Sequence, residues 1–477
     1  MSFDLEKFLK HEFNNNSDLI FRKTLCKSGE VLIIYLKSTT DKVAIAKEII
    51  EPILYSNQKF DFDKLKNGII YSGEIKQISQ QEIIDNILKN QVIVVFENKY
   101  LAVDLEKYPV RTPSEPPTSP NIYGPREGFV EALPSNISLL RKRLQSKNLV
   151  IESTEVGLET KTKICILYLK NVADKKIVKD ITKRINNIDI DGIIDSYYIA
   201  QFLKTKPSSM FEQVGIQEKP DIVAAKVLEG RIAIVVDGSP MVLTVPFMIF
   251  EDLQSSNDYY TNHMYVNMVR IIRTIGIILA TIIPGLYIAI RLYSDEVIPL
   301  NYIIVISNST KNLPFTPALE MFFIIILFQI LYEVSLRLPQ YLGLATSIVG
   351  ALILGDTGVK AGLISPPGVI IVAVSIMAIY TIPSQASQLT VLRAVFLILG
   401  ATVGIFGIVA GMVYVINYIN TLNIYSTPYL APFAPRVDDD LKDGIFKKNV
   451  SYMKERPKSL PQKNKIRLKE GGENNEK

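Results

Sequence analysis

The chain has 477 residues, with 53 Lys plus Arg against 48 Asp plus Glu, a net charge of +5 and 48% hydrophobic residues. That length suits two or three domains, and the small, scattered positive balance, without an RNP, helix-turn-helix or zinc-finger pattern, argues against nucleic-acid binding. Cys26 and Cys165 stand alone with no CxxC, which argues against a disulfide framework or zinc site and fits reduced thiols.

The N-terminal stretch from Met1 to Phe13 mixes acids, bases and apolar residues. It lacks a basic n-region and an apolar h-region, so no cleavable signal peptide is expected. Beyond it the chain repeats itself. Glu30-Val31-Leu32-Ile33-Ile34-Tyr35-Leu36-Lys37 matches Lys163-Ile164-Cys165-Ile166-Leu167-Tyr168-Leu169-Lys170, an offset of about 133 residues. Asp41-Lys42 and Asp174-Lys175 follow, each opening a helical pattern with Asp as N-cap. A second pair recurs near an offset of about 140: Gln91 to Lys99 against Arg231 to Ser239. Asn98 and Gly238 fall where a hairpin turn needs positive φ. The short, β-branched apolar runs favour strands. The expected fold of this half is α/β, as two similar tandem subdomains, 1–108 and 126–260, with a Pro-rich linker at 109–125.

No Walker loop, GxSxG or Gly-rich strand–helix turn occurs, and His11 and His263 are isolated. The soluble half is expected to be a docking or assembly module rather than an enzyme, without cofactor or metal.

From about Ile275 to Tyr425 charges become sparse, and an all-α polytopic membrane domain is expected over 261–433. Arg270 and Arg273 precede a first span, Thr274 to Leu292, kinked at Pro284, and point to a cytoplasmic start. A second span, Pro317 to Leu336, carries Glu320, Gln329 and Glu333, with Arg337 at its end. Such groups are costly in lipid and face a bundle interior or a water path. Glu333 and Arg337 can pair four residues apart, so packing and an ion path both stay open. Gly343 to Ser365 is broken by Gly350, Gly355, Gly358 and Gly362 and holds Asp356 and Lys360. Irregular, charged backbone at membrane depth needs shelter from lipid, which makes this stretch the pore or re-entrant candidate; tight helix packing through small residues is the alternative. Within it Val359 and Leu363 form a candidate dewetting gate. Pro367 to Ile382 and Leu392 to Tyr418 complete four spans, the last with Gly400, Gly404, Gly407 and Gly411 mostly on one face. The basic segment 434–477 is expected to be a cytoplasmic tail. With both termini inside the count must be even; Arg393, placed outside by this scheme, fits it poorly, and five spans is the other option.

Several motifs, taken together and in order, resemble the A subunits of GerA-type spore germinant receptors. They are Pro125-Arg126-Glu127-Gly128-Phe129-Val130-Glu131 with Asn136 to Arg143; Val236-Asp237-Gly238-Ser239-Pro240; Asp258-Tyr259-Tyr260; and Pro284-Gly285-Leu286-Tyr287-Ile288-Ala289. Further along stand Arg337-Leu338-Pro339; Ile348-Val349-Gly350; Ala361 to Ser365; and Ser426-Thr427-Pro428-Tyr429-Leu430-Ala431-Pro432. The chain departs from the family pattern at Tyr332-Glu333-Val334-Ser335, Ser294-Asp295-Glu296 and Pro314-Phe315-Thr316. The resemblance implies a homo-oligomeric, pentamer-type cation channel of the spore inner membrane, acting in germination. It further implies a transporter-like B subunit that binds the nutrient and a lipoprotein C subunit as partners. A non-conducting scaffold and a secondary transporter are the alternatives. The transporter reading calls for inverted repeats in the membrane half, whereas the duplication lies in the soluble half.

Overall fold

The structure is a computed structural model that describes residues 2–56, 59–70, 74–105, 123–311, 313–339 and 352–467, with Ile348 and Gly350. Residues 109–122 of the linker expected at 109–125, and much of the Gly343–Ser365 stretch before Leu352, lie outside the described residues.

The repeat is realised as two five-stranded antiparallel sheets of the same topology. The first is ordered β1-β2-β4-β5-β3: β1 Leu19–Cys26, β2 Gly29–Leu36, β3 Ile75–Ile78, β4 Val92–Phe96 and β5 Lys99–Val103. The second is ordered β6-β7-β9-β10-β8: β6 Leu149–Val156, β7 Thr162–Leu169, β8 Gly215–Gln217, β9 Ile232–Val236 and β10 Val242–Val245. Register is carried over with the sequence: Ile33 pairs with Val94, and Ile166 with Ile234. The hairpin positions hold φ of +61° at Asn98 and +85° at Gly238. Asp41 and Asp174 cap helices through the N–H groups of Val43 and Lys176.

The middle strands β4 and β9 are apolar at every position because both sheet faces are covered. In the second sheet Ile164, Ile166 and Ile234 pack against Ile177, Ile181 and Ile185 of α3 (Lys175–Asn186). Cys165, Leu167 and Val235, which alternate with them, pack against α2 (Leu133–Arg143) and α4 (Pro220–Leu228). Each such buried Ile, Val or Leu contributes about 1.5–3 kcal/mol. The first sheet has its own two layers, one closed by Leu5, Leu9 and Phe13 of the opening helix α1 (Ser2–Glu12) and the residue after it. The subdomains meet at the free edge of β6. Ser17 N–H donates to Ile151 O at 3.2 Å, and the buried Arg141 guanidinium lies 3.3 Å from the buried Asp18 carboxylate.

The membrane half begins with α5 (His263–Thr281), which runs through Ile282 into α6 (Ile283–Tyr293), with Pro284 in the first turn of α6. A short helix, α7 (Leu300–Thr310), precedes α8 (Pro317–Arg337). Then come α9 (Pro366–Ile379), α10 (Ala386–Val403) and α11 (Ile405–Asn420). Among the described residues, three helices are long and apolar enough to cross a membrane: His263–Thr281, Pro317–Arg337 and Pro383–Val403. Shorter apolar helices are Ile283–Tyr293, Pro366–Ile379 and Ile405–Asn420.

The first span, expected from Thr274 to Leu292, instead starts at His263 and is two helices meeting at Ile282, and two further features differ from the sequence expectation. The single span expected from Leu392 to Tyr418 is two helices, because Gly404 takes φ +71°, which no helix continues through. The basic C-terminal segment is packed rather than free. Beyond α11, β11 (Asn423–Ile424) pairs with β12 (Thr427–Pro428), and Tyr425 and Tyr429 join the core of the second sheet. Lys463 N–H donates to Val172 O, and Arg456 Nε to Leu228 O.

The glycines at the α6–α10 crossing set the backbone separation. A Cβ on Gly400 would run into the Gly285 carbonyl, and one on Gly285 into the Phe396 carbonyl. Gly400→Leu is expected to cost at least the ~1–3 kcal/mol of an overpacked core, read as a lowered unfolding temperature in detergent. Gly355→Ala, where a Cβ meets nothing within 4 Å, should leave it unchanged.

Candidate functional site

The soluble and membrane halves are joined by a buried charge cluster at the start of α5. Arg270 is fully buried and Asp258 nearly so, at 0% and 3% exposure. Arg270 Nε donates to Asp258 Oδ2 at 2.9 Å. Its Nη1 donates to Asp443 Oδ1 at 3.0 Å and to the Gly444 carbonyl at 2.6 Å. Arg273, one turn on, donates to both Asp258 oxygens and to Leu253 O. Tyr259 O–H donates to Asp443 Oδ2 at 2.7 Å, and Tyr260 O–H to Asp221 Oδ2 at 2.7 Å. The Asp258-Tyr259-Tyr260 motif therefore ties the second subdomain, α5 and the C-terminal segment together. Arg270 and Arg273 carry more than the topogenic charge expected of them.

A second contact joins the loop before α10 to the soluble half. Gln385 Nε2 donates to Asp252 Oδ2 at 2.8 Å. Burial pushes the Asp252 carboxyl up to about 6, against its ordinary 3.8; the Gln385 hydrogen bond offsets this in part. Burial also pushes the Cys165 thiol up to about 11, so it stays protonated.

Other motifs singled out in the sequence act as local clamps. Asn136 holds Val130 by both its N–H and its carbonyl, and Glu127 pairs with Arg143 at 2.6 Å. Gly238 N–H donates to Glu131 O at 2.8 Å, and Ser239 Oγ donates to Asp195 Oδ1 at 2.6 Å.

The membrane residues singled out in the sequence separate into distinct settings. Glu320, in the first turn of α8, is 1% exposed, and its Oε1 accepts the Ser365 N–H at 2.6 Å. Ser365 in turn caps α9 by accepting the Gly368 N–H at 3.1 Å. Glu320 is thus a packing group locking α8 to α9. Glu333 and Arg337 pair at 2.7 Å on an exposed face, and Gln329 is half-buried. Asp356 pairs with Lys360 at 2.8 Å, both exposed. Between them a π-helical turn, Ile353–Thr357, leads into Gly358–Lys360. The helix ends in a Schellman arrangement: Gly362 takes φ +65°, and Leu363 N–H donates to Gly358 O at 3.1 Å. Val359 packs against the cluster of Met321, Ile324 and Ile364, whereas Leu363 is 46% exposed. The two proposed gate residues therefore do not share one environment.

The path of this stretch is also set by its contacts. Leu338 leaves α8 at its C-terminal end, Gly350 abuts Leu331, and Ser365 meets Glu320 at the opposite end. The described residues Gly350 and 352–365 therefore lead from beside Leu331 toward the opposite end of α8. At 1.5 Å per residue, Glu320 to Arg337 measures about 25 Å.

Sequence reasoning missed the Asp258–Asp443 cluster, since Asp443 lies in a segment without helical or strand periodicity. It also misplaced Arg393. Gln385, at the head of α10, contacts Asp252 of the soluble half, so Arg393 lies about two turns from that side.

Two stability outcomes follow. Asp258→Ala strands two guanidinium groups and should cost about 3–5 kcal/mol, read by thermal unfolding in detergent, with Asp443→Ala costing less because Arg270 keeps Asp258. For Asp252 the raised carboxyl favours the protonated form in the folded state. Its cost to stability is full above pH about 6 and is relieved as pH falls below that. Asp252→Asn should stabilise at pH 7.5 by at most about 3 kcal/mol, and the gain should fall by about half at pH 5.

Compared with known proteins, the chain matches the Bacillus/Clostridium GerA spore germination protein family over residues 7–459. It is 31% identical over 471 residues to spore germination protein KA of Bacillus subtilis (strain 168), covering 96% of this chain and 86% of that protein. It is 28% identical over 459 residues to spore germination protein B1 of the same organism, covering 94% and 95%. Among solved structures, the N-terminal domain of the A subunit of the Bacillus megaterium spore germinant receptor GerK3 aligns at 25% identity and a TM-score of 0.38, covering 51% of this chain and 95% of that one.

Proposed function

The chain belongs to the GerA spore germination protein family, and from that membership we propose that it is the A subunit of a nutrient-germinant receptor whose membrane half forms a gated cation path in a homo-oligomer. It sits in the spore inner membrane, with the soluble half and the C-terminal segment on the cytoplasmic side. Its partners are a transporter-like B subunit that binds the nutrient and a lipoprotein C subunit.

The observation that carries conduction is the Asp356–Lys360 pair. Gly350 abuts Leu331 and Ser365 meets Glu320, so Asp356 falls midway along α8. There the pair lies on the surface of the single chain, with side chains 55% and 73% exposed. A charge at the bilayer centre costs about 2.5–3.5 kcal/mol or more. This face therefore belongs against other subunits or water, not lipid. Leu363, exposed just past the pair, is the apolar constriction; Val359 supports it from within the bundle.

The crossing scheme accords with this. Helices α5 with α6, α8, the 348–365 stretch, α9, α10 and α11 make six passages, an even number. The stretch is then a full passage rather than re-entrant, and Arg393 falls on the cytoplasmic side, in accord with the positive-inside rule. Nutrient binding to a partner biases a closed–open equilibrium only through unequal affinity for the two states. The Asp258–Arg270–Asp443 cluster gives the soluble module a rigid hold on α5 through which to transmit that bias.

Potassium-loaded liposomes carrying the full chain should lose potassium faster than protein-free ones, and Leu363→Ala should raise the leak several-fold. Liposomes that retain potassium despite a chain shown to be oligomeric would select the non-conducting scaffold.

A further inference from the structure

The C-terminal turns of α8 and α9 and the first two turns of α10 enclose a half-open cavity of about 540 Å³. That size suits an organic ligand of many atoms. Arg393 lines it, is 2% exposed, and has no hydrogen-bond partner for Nε or Nη1 among the described residues. A buried guanidinium without a counter-charge costs several kcal/mol. The nearby acids do not supply one. Glu333, on the same cavity, is held by Arg337, and Asp356 is held by Lys360. No Asp or Glu occurs in sequence between Arg337 and Asp356. The complement is an anion from outside this chain.

We propose that this cavity binds the phosphodiester headgroup of an anionic phospholipid from the cytoplasmic leaflet. Three observations select that class. The guanidinium presents N–H groups in a planar fork suited to phosphate oxygens. Ser387 and Thr390, on the same α10 face, add hydroxyls for ester and glycerol oxygens. Phe328, Leu331, Ile376 and Ile379 form an apolar stretch of wall beside the polar Gln329, Glu333 and Ser335, and that stretch fits acyl chain rather than a hydrated small ion. Depth agrees: Arg393 is seven residues into α10, about 10 Å from its head. Tyr332 and Tyr380, with ring centroids 6.0 Å apart, stand among the lining residues, as tyrosines do at headgroup level. The ligand would bridge α8, α9 and α10 beside the 348–365 passage, making lipid charge a condition of bundle stability.

The inference rests on the bilayer placement proposed above and not on conduction; a chain that fails to pass potassium yet binds anionic lipid loses only the channel reading. The purified full chain in detergent is titrated with phosphatidylglycerol, phosphatidylcholine or inorganic phosphate while its unfolding temperature is read. Phosphatidylglycerol should raise it by several degrees and the other two should not, and Arg393→Gln should abolish the shift. An undiminished shift in Arg393→Gln, equal shifts from both lipids, or an equal shift from inorganic phosphate would overturn the proposal. Should Arg393→Gln fail to accumulate, the lipids that co-purify with the unaltered chain decide. Enrichment in anionic headgroups over the source membrane supports the site, and an unchanged composition overturns it.

Discussion

The buried Arg270 guanidinium is the constraint on which the two halves depend. Alone in the protein interior it would be prohibitive, so it is tolerated only with Asp258, Asp443 and the Gly444 carbonyl in place. Three parts of the chain are involved: Arg270 stands on the first membrane helix, Asp258 at the end of the second subdomain, and Asp443 and Gly444 in the segment after the last helix. Meeting the charge forces all three together. Tyr259, bonded to the same Asp443, closes the remaining side.

Around that anchor the architecture has few joints. The apolar cluster of the second sheet continues through Ile419, Tyr425 and Tyr429 into the bundle. The loop before α10 touches the soluble half through Gln385 and Asp252. Farther away, α6 and α10 approach at Gly285 and Gly400, and Glu320 locks α8 to the start of α9. Most polar groups in the membrane half are therefore matched within the chain. The Asp356–Lys360 face and the Arg393 cavity stand apart, one exposed and one lined by a buried guanidinium without an anion among the described residues.

Much of the fold was legible in the residues. The repeat, its two hairpins and the Asp N-caps follow from alternation, β-branching and turn chemistry, which act within a few residues. The span Pro317 to Leu336 was legible because a stretch of twenty mostly apolar residues leaves little else. Less legible was the break at Gly404, since a glycine within a small-residue stripe serves close packing as readily as it ends a helix. The Glu333–Arg337 pairing was legible from spacing; that Glu320, on the same helix, is a buried acceptor for Ser365 was not.

What the sequence by itself determined is local in origin: strand and helix identity, the duplication, the apolar half, and membership in the germination family through its ordered motifs. Only the tertiary structure decided which side of the bundle Arg393 occupies, that the basic C-terminal segment packs against the second subdomain, and that Ser365 meets Glu320 at the start of α8. Each depends on contacts between residues tens to hundreds of positions apart, such as Arg270 with Asp443 or Gln385 with Asp252. Periodicity and propensity report how a segment meets its immediate neighbours, and carry no signal for which distant charge or carbonyl will complete it.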